Sequence, residues 1–107
     1  MEEYSIFKEA NEDVETLKRH ILIIQTLLKE QPLGIIKIAQ HTGIPEHKIR
    51  YSLRILEREG IIEASREGAI LTSTFLDQKE NILNSGRVLI EKVNSIYTDI
   101  KNILENQ

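Results

Sequence analysis

KIAQHTGIPEHKIRYSLRILEREGII, residues 37–62, is the stretch that decides the fold of this chain of 107 residues. Its apolar residues recur at helical spacing, and Gly43 divides them into two runs. The first run predicts a short helix over 35–42, which Gly43 ends. The second predicts a helix over about 45–59, with a proline in its first turn and Gly60 as the left-handed residue that closes it. The pattern therefore predicts two helices joined by a tight turn.

One face of each of these helices is apolar, so we expect the pair to pack into a core. Ala39 is small enough to let the helices approach closely, and Ile44 fills the angle between them. The residues predicted to point inward are Ile35, Ile38 and Ala39 on the first helix and Ile49, Leu53 and Leu56 on the second.

Two short runs at 61–65 and 69–72 lie on either side of the triplet Arg66-Glu67-Gly68. Runs of this length around a turn that contains glycine are typical of a β-hairpin. We therefore expect a hairpin with a three-residue turn after the second short helix. The predicted fold class is mainly α with one small β-hairpin, flanked by long N- and C-terminal helices.

The sequence IAQHTGIPEHKIRYSLRILEREGII…REGAILT resembles the DNA-reading core of archaeal and bacterial winged helix-turn-helix transcriptional regulators, a broad set that includes MarR-like and ArsR-like repressors. The resemblance covers about residues 17–72. It departs from the usual pattern at Pro45, where such proteins often carry Ser or Thr, and at 71–75, where many have LTxxG. The resemblance implies a winged helix-turn-helix fold, in which the hairpin is the wing, and double-stranded DNA as the partner.

Helical geometry predicts which side chains of the second short helix face outward, because the apolar stripe fixes the inward side. In the winged helix-turn-helix regulators that the sequence resembles, this helix enters the major groove, so its outward residues are candidate DNA contacts. Arg50 and Arg54 are expected to read bases, since Arg binds guanine in a bidentate manner. The supporting contacts are expected from His47, Lys48, Tyr51 and Arg58 on the helix and from Arg66 at the tip of the wing.

The overall charge does not decide between DNA binding and other functions. The formal net charge is −3, so any nucleic-acid surface must depend on where the basic residues lie. Glu46, Glu57 and Glu59 are close enough in sequence to pair with some of them, in which case the helix face is simply solvated. The alternative function is a winged-helix module that binds another protein and makes no direct contact with DNA.

Apolar residues also recur at helical spacing toward both ends of the chain. The N-terminal pattern predicts a helix that reaches Glu30 and stops before Pro32, with the run 21–24 buried. The C-terminal pattern repeats every seven residues from Phe75 to beyond residue 100, and the triplet at 84–86 is a possible break.

These outer helices favour a homodimer, because one small winged domain offers too little surface to cover both stripes. A two-fold dimer would present two recognition helices about 34 Å apart, one turn of DNA. An intramolecular pair of helices in a monomer is the alternative. We expect a single domain over 1–107, made of the N-terminal helix 1–30, the helix-turn-helix and wing 33–72, and a dimerisation helix 73–107. The predicted interface residues are Phe7, Val14, Leu83, Leu89, Val93, Ile96, Ile100 and Ile103.

Several function classes have little support. The chain has no cysteine, so disulfides and cysteine-ligated metals are excluded. No catalytic or metal motif is apparent, and no cofactor, metal or small-molecule ligand is expected. His20, His41 and His47 lack a convincing helical metal spacing, and His20 is expected at the core edge, bonded to a carbonyl. No apolar run is long enough to span a membrane, so a cytoplasmic protein is expected.

Overall fold

The structure, a computed structural model, describes residues 4–107. It is mainly helical, with one two-stranded antiparallel hairpin, so the predicted fold class is confirmed. The chain forms two compact units, 4–76 and 77–107. After a single 3-10 turn at Ser5–Phe7, the elements are α1 (Lys8–Lys29), α2 (Ile35–Thr42), α3 (Glu46–Arg58), β1 (Ile62–Ser65), β2 (Gly68–Leu71), α4 (Ser73–Leu76) and α5 (Lys79–Glu105).

The turn between α2 and α3 forms as the sequence predicts. Gly43 is left-handed, with φ of 75°, and its N–H donates to the carbonyl of Ala39 at 2.8 Å. The hydroxyl of Thr42 donates to the carbonyl of Ile38 at 2.7 Å and accepts from the N–H of Ile44 at 3.2 Å. These bonds tie Gly43 and Ile44 to the last turn of α2, so the path of the chain from α2 toward α3 is fixed locally.

The core lies where one face of α1 meets α2, α3 and β2. Its fully buried side chains include Ile23 and Leu27 from α1, Ile38 from α2 and Ile49 from α3. The prediction that the whole run 21–24 is buried was wrong. Ile21 and Leu22 are 54% and 39% exposed, because only one side of α1 contacts the other elements of its unit. The α1 residues that are buried are Ile23, Ile24, Thr26 and Leu27.

The wing has a shorter turn than the sequence suggests. Ser65 pairs with Gly68, which leaves a two-residue turn rather than the predicted three. The register is fixed from outside the hairpin, because Leu33 forms an isolated bridge to Ala69 through backbone bonds of 2.8 and 3.2 Å. Gly68 has φ of 136°, and a Cβ there would lie 2.3 Å from the carbonyl carbon of Leu33. The close approach therefore requires glycine at this position.

The C-terminal pattern is divided at a different point from the one predicted as a possible break. The chain leaves helical conformation at Asp77–Gln78, so Phe75 belongs to α4 and packs on the core of the first unit. Helix α5 is continuous through Gly86. The side chain of Arg87 pairs with Glu91 at 2.7 Å and also bonds the side chain of Asn84, so polar contacts flank the glycine.

Candidate nucleic-acid interface

The outward face of α3 is polar and basic. Ile49 and Leu56 are buried and Leu53 is half-buried, as predicted from the spacing, while Tyr51 remains 48% exposed. Because a helix has 3.6 residues per turn, burying this stripe turns the remaining side chains toward solvent. The exposed candidates on α3 are His47, Lys48, Arg50, Tyr51, Arg54 and Arg58.

The charges on this face are mostly unneutralised. Within residues 4–107, no carboxylate lies within 4 Å of Lys48, Arg50 or Arg54. Arg58 differs, since its Nε lies 3.4 Å from Oε2 of Glu59. The alternative in which nearby glutamates neutralise the basic residues of α3 therefore applies to Arg58 alone among the described side chains. Three cations on one exposed helix face produce a local positive potential on an acidic chain.

A side chain from α1 joins this surface. An open depression of about 470 Å³ is lined by four basic side chains and two aromatic rings: Arg19, His47, Lys48, Arg50, Tyr51 and Arg54. The Nε of Arg19 donates to Oγ of Ser52 at 2.7 Å, and its Cζ lies 5.6 Å from the centroid of the Tyr51 ring. Sequence reasoning missed Arg19. Arg19 lies four residues before the buried Ile23 and therefore on the core side of α1, but the sequence alone does not show that Ile23 faces the core.

Arg66 lies where the sequence predicts, in the turn of the wing. It is exposed, and no described carboxylate forms an ion pair with it. Glu67 follows it directly in the two-residue turn. The wing thus presents one cation next to one carboxylate, so its positive potential is weaker than that of α3.

His20 does not make the carbonyl bond that the sequence suggested. Its Nδ1 is buried and has no hydrogen-bond partner among residues 4–107. Burial, and secondarily the positive charge of Arg19, lower the pKa of His20 below its usual 6.5. Folding therefore disfavours protonation of the His20 imidazole relative to the unfolded chain.

The other two histidines have separate surroundings. The Nε2 of His41 lies 3.2 Å from Oε2 of Glu30, and both line an open depression of about 490 Å³ together with part of α1. His47 belongs to the α3 surface. Across residues 4–107, no three side chains of His, Asp or Glu converge in a way that would hold a metal ion.

The predicted interface residues lie on both units and are largely exposed. Five of those on α5 are between 49% and 64% exposed: Leu83, Leu89, Val93, Ile96 and Ile103. Ile100 is half-buried. In the other unit, Phe7 and Val14 are likewise exposed. None of the described helices is long and apolar enough to cross a membrane.

The comparisons with known proteins bear on the same segment. Residues 19–64 match the model of a family described as bacterial regulatory protein, arsR family. A search of curated proteins found no match. The matched stretch covers somewhat less than half of the chain, and it contains Arg19, α2, α3 and most of β1.

The match confirms the ArsR-like part of the resemblance, and the MarR-like part stays a prediction. Helix-turn-helix domains of the arsR family bind double-stranded DNA, and the family is not one of enzymes. Residues 19–64 are therefore similar to the helix-turn-helix domain of the arsR family of bacterial regulatory proteins, a family of DNA-binding transcriptional regulators.

Proposed function

We propose that this protein recognises specific double-stranded DNA sequences as a homodimeric transcriptional regulator, with α3 in the major groove and the wing on the DNA backbone. The observation that carries the proposal is the exposed face of α3, on which Lys48, Arg50 and Arg54 have no carboxylate partner among residues 4–107. Unneutralised cations on the second helix of a helix-turn-helix domain suit DNA, because this helix lies in the major groove between two rows of phosphates.

The side chains of α3 have different roles in this proposal. Arg50 and Arg54 contact base edges, since a guanidinium donates two parallel hydrogen bonds to guanine. His47, Lys48 and Tyr51 contact phosphates and fix the register. Arg58 contributes less because it is already paired with Glu59. Arg66 contacts the DNA backbone or minor groove from the wing.

The homodimer part of the proposal rests on apolar surface. The stripe on α5 repeats every seven residues, and none of the residues of α5, all of which the structure describes, is buried. Water-exposed Leu and Ile at this density favour association with a second copy. Pairing through a two-fold axis would present two α3 helices to a pseudo-palindromic site.

The test is binding to double-stranded DNA at several salt concentrations, first to random-sequence DNA and then to sequences selected from it. We expect log affinity to fall steeply and linearly with log salt concentration, because bound cations release counterions. The variant Arg50→Ala/Arg54→Ala should bind at least about tenfold more weakly and with a smaller slope. Lys29→Ala/Arg87→Ala is the matched control, since it removes two exposed cations from α1 and α5.

Negligible binding by the unmodified protein at every salt concentration would contradict DNA binding and would favour the alternative, a module that binds another protein. A double variant that binds like its control would contradict recognition through Arg50 and Arg54. The net charge of −3 and the wing turn in which Glu67 follows Arg66 are the features that support this alternative.

A further inference from the structure

We propose that Arg19 completes a phosphate-binding subsite where α1 meets α3, and that it also holds Tyr51 in place beside that subsite. This inference rests on the proposed DNA binding, and it adds a residue outside the recognition helix. The ligand is a phosphodiester group of the DNA backbone. The positions that form the subsite are Arg19, Lys48 and Tyr51, which share the depression described above.

The hydrogen bond to Ser52 fixes the orientation of Arg19. Ser52 is completely buried, and its Oγ accepts from Nε of Arg19 at 2.7 Å. A hydrogen bond from a charged donor to a buried, rigid acceptor immobilises a side chain that otherwise has many rotamers. Arg19 is thereby anchored from within the core at one edge of its planar group, and the guanidinium is preorganised before any ligand arrives.

The opposite edge of the guanidinium is free to bind a ligand. Arginine carries five N–H donors, and Nε uses one of them. The two Nη groups of Arg19 make no hydrogen bond or ion pair with any residue among 4–107. Two parallel N–H groups in a fixed plane match the oxygens of a phosphate. The remaining donors therefore fit an anion that approaches from solvent.

Tyr51 links this group to the recognition helix. The guanidinium carbon of Arg19 lies 5.6 Å from the ring centroid, within the range of a cation–π contact. The ring is held on one side in this way while about half of the side chain remains exposed. Its hydroxyl can donate to a phosphate oxygen. Arg19 is thus both a proposed phosphate ligand and a positioning residue for Tyr51.

The charges around the depression favour an anion. Its lining contains the cations Arg19, Lys48, Arg50 and Arg54 and no carboxylate. Like charges held this close repel one another, and a bound phosphate relieves that repulsion.

The first test compares Arg19→Gln with Lys29→Gln, which removes the same charge from the same helix outside the depression. We expect Arg19→Gln to weaken DNA binding about five- to tenfold at physiological salt and to reduce the magnitude of the salt slope by about 1.8, the value for two lost phosphate contacts, one in each protomer of the proposed dimer. Lys29→Gln should bind like the unmodified protein. Arg19→Lys should restore the slope but not the full affinity, since Lys keeps the charge and loses the fork.

The second test separates positioning from charge. Ser52→Ala keeps every charge and removes the acceptor that orients Arg19, so we expect affinity to fall about threefold with an unchanged salt slope. In the unmodified protein, the NMR signal of the Arg19 Nε–H should be visible through its bond to Ser52. That signal should shift when DNA is added, because the phosphate binds the same guanidinium.

The outcomes distinguish this inference from the proposal on which it depends. If the unmodified protein binds DNA with a steep salt slope while Arg19→Gln behaves like Lys29→Gln, the phosphate subsite is wrong and DNA binding stands. If the unmodified protein does not bind DNA, both are wrong. Should Arg19→Gln fail to fold, the NMR signal decides, and an Arg19 Nε–H signal that does not respond to saturating DNA overturns the inference.

Discussion

Helices α3 and α5 are both amphipathic, but only α3 has its apolar face covered. In α3, Ile49 and Leu56 are 0% and 2% exposed, whereas in α5 Leu89 and Ile96 are 49% and 56% exposed. The same type of sequence pattern therefore leads to two outcomes. A stripe is buried when the topology places other elements against it, as α1, α2 and β1 lie against α3. The stripe of α5 has the same chemistry but is exposed, and we propose that a second copy of the chain covers it.

The largest expected effect comes from placing charges in the stripe of α5. We expect the unmodified protein to sediment as a dimer at micromolar concentration and Leu89→Glu/Ile96→Glu to sediment as a monomer. Four carboxylates, two from each copy, would have to lose water in an apolar interface, at a cost of several kcal/mol for each unpaired charge.

The matched control for this substitution is Ser95→Glu/Asn102→Glu, which adds the same charges on the opposite side of α5 by helical spacing. This control should remain dimeric. A monomeric unmodified protein, or a control that dissociates as readily as the stripe variant, would remove the proposed dimer. Circular dichroism on all three proteins checks that α5 stays helical.

Shortening a side chain in the buried stripe of α3 should have the next largest effect. It should lower the stability of the fold rather than change the oligomeric state. Ile49→Ala should lower the free energy of unfolding by about 2–5 kcal/mol, because it removes a fully buried side chain and leaves a cavity. Ile36→Ala, the same substitution at a site 61% exposed on α2, should change it by less than about 0.5 kcal/mol. Equal losses in urea denaturation would mean that the core is not centred on α3.

Replacing glycine by alanine should change the stability by a smaller amount, and the sign of the change should differ between Gly86 in the second unit and Gly68 in the first. Gly86 lies within α5, and a Cβ there would have no neighbour within 4 Å, so Gly86→Ala should stabilise the helix by about 1 kcal/mol. Gly68→Ala should destabilise the wing, because its Cβ would collide with Leu33. Thermal denaturation measures both. A loss of stability in Gly86→Ala would show instead that a second copy packs closely against that glycine.

A feature of the fold was predictable from the sequence where neighbouring residues alone determine it. The bounds of α2 and the turn after it follow from Gly43, because a left-handed residue ends a helix whatever surrounds it. The two-residue turn of the wing was not predictable, since its register depends on the bridge from Leu33 to Ala69, which is far away in sequence. Phe75 matched the seven-residue repeat, yet it packs on the core of the first unit.

The candidate site likewise has one part that follows from local sequence and one part that depends on tertiary packing. The outward direction of Lys48, Arg50 and Arg54 follows from the apolar stripe of α3 alone. The contribution of Arg19 depends on how α1 is rotated against α3, and several apolar positions of α1 offered equally good inward faces. Only the packing shows that Ile23 is buried while Ile21 is not, and this rotation is what carries Arg19 to Ser52.

The smallest expected effect is on the pH dependence of stability and concerns His20, a half-buried side chain on α1. Its pKa is lowered in the folded chain, mainly by burial, so near pH 6.5 the unfolded chain binds more protons than the folded chain. The unfolded state is therefore favoured as the pH falls below about 6.5, and stability contributed by neutral His20 is present above that pH. His20→Leu should make the free energy of unfolding less dependent on pH between about 7.5 and 5.5. Urea denaturation of both proteins across this range isolates the effect, because all other titrating groups are shared; curves that stay parallel would show that His20 is protonated equally in both states.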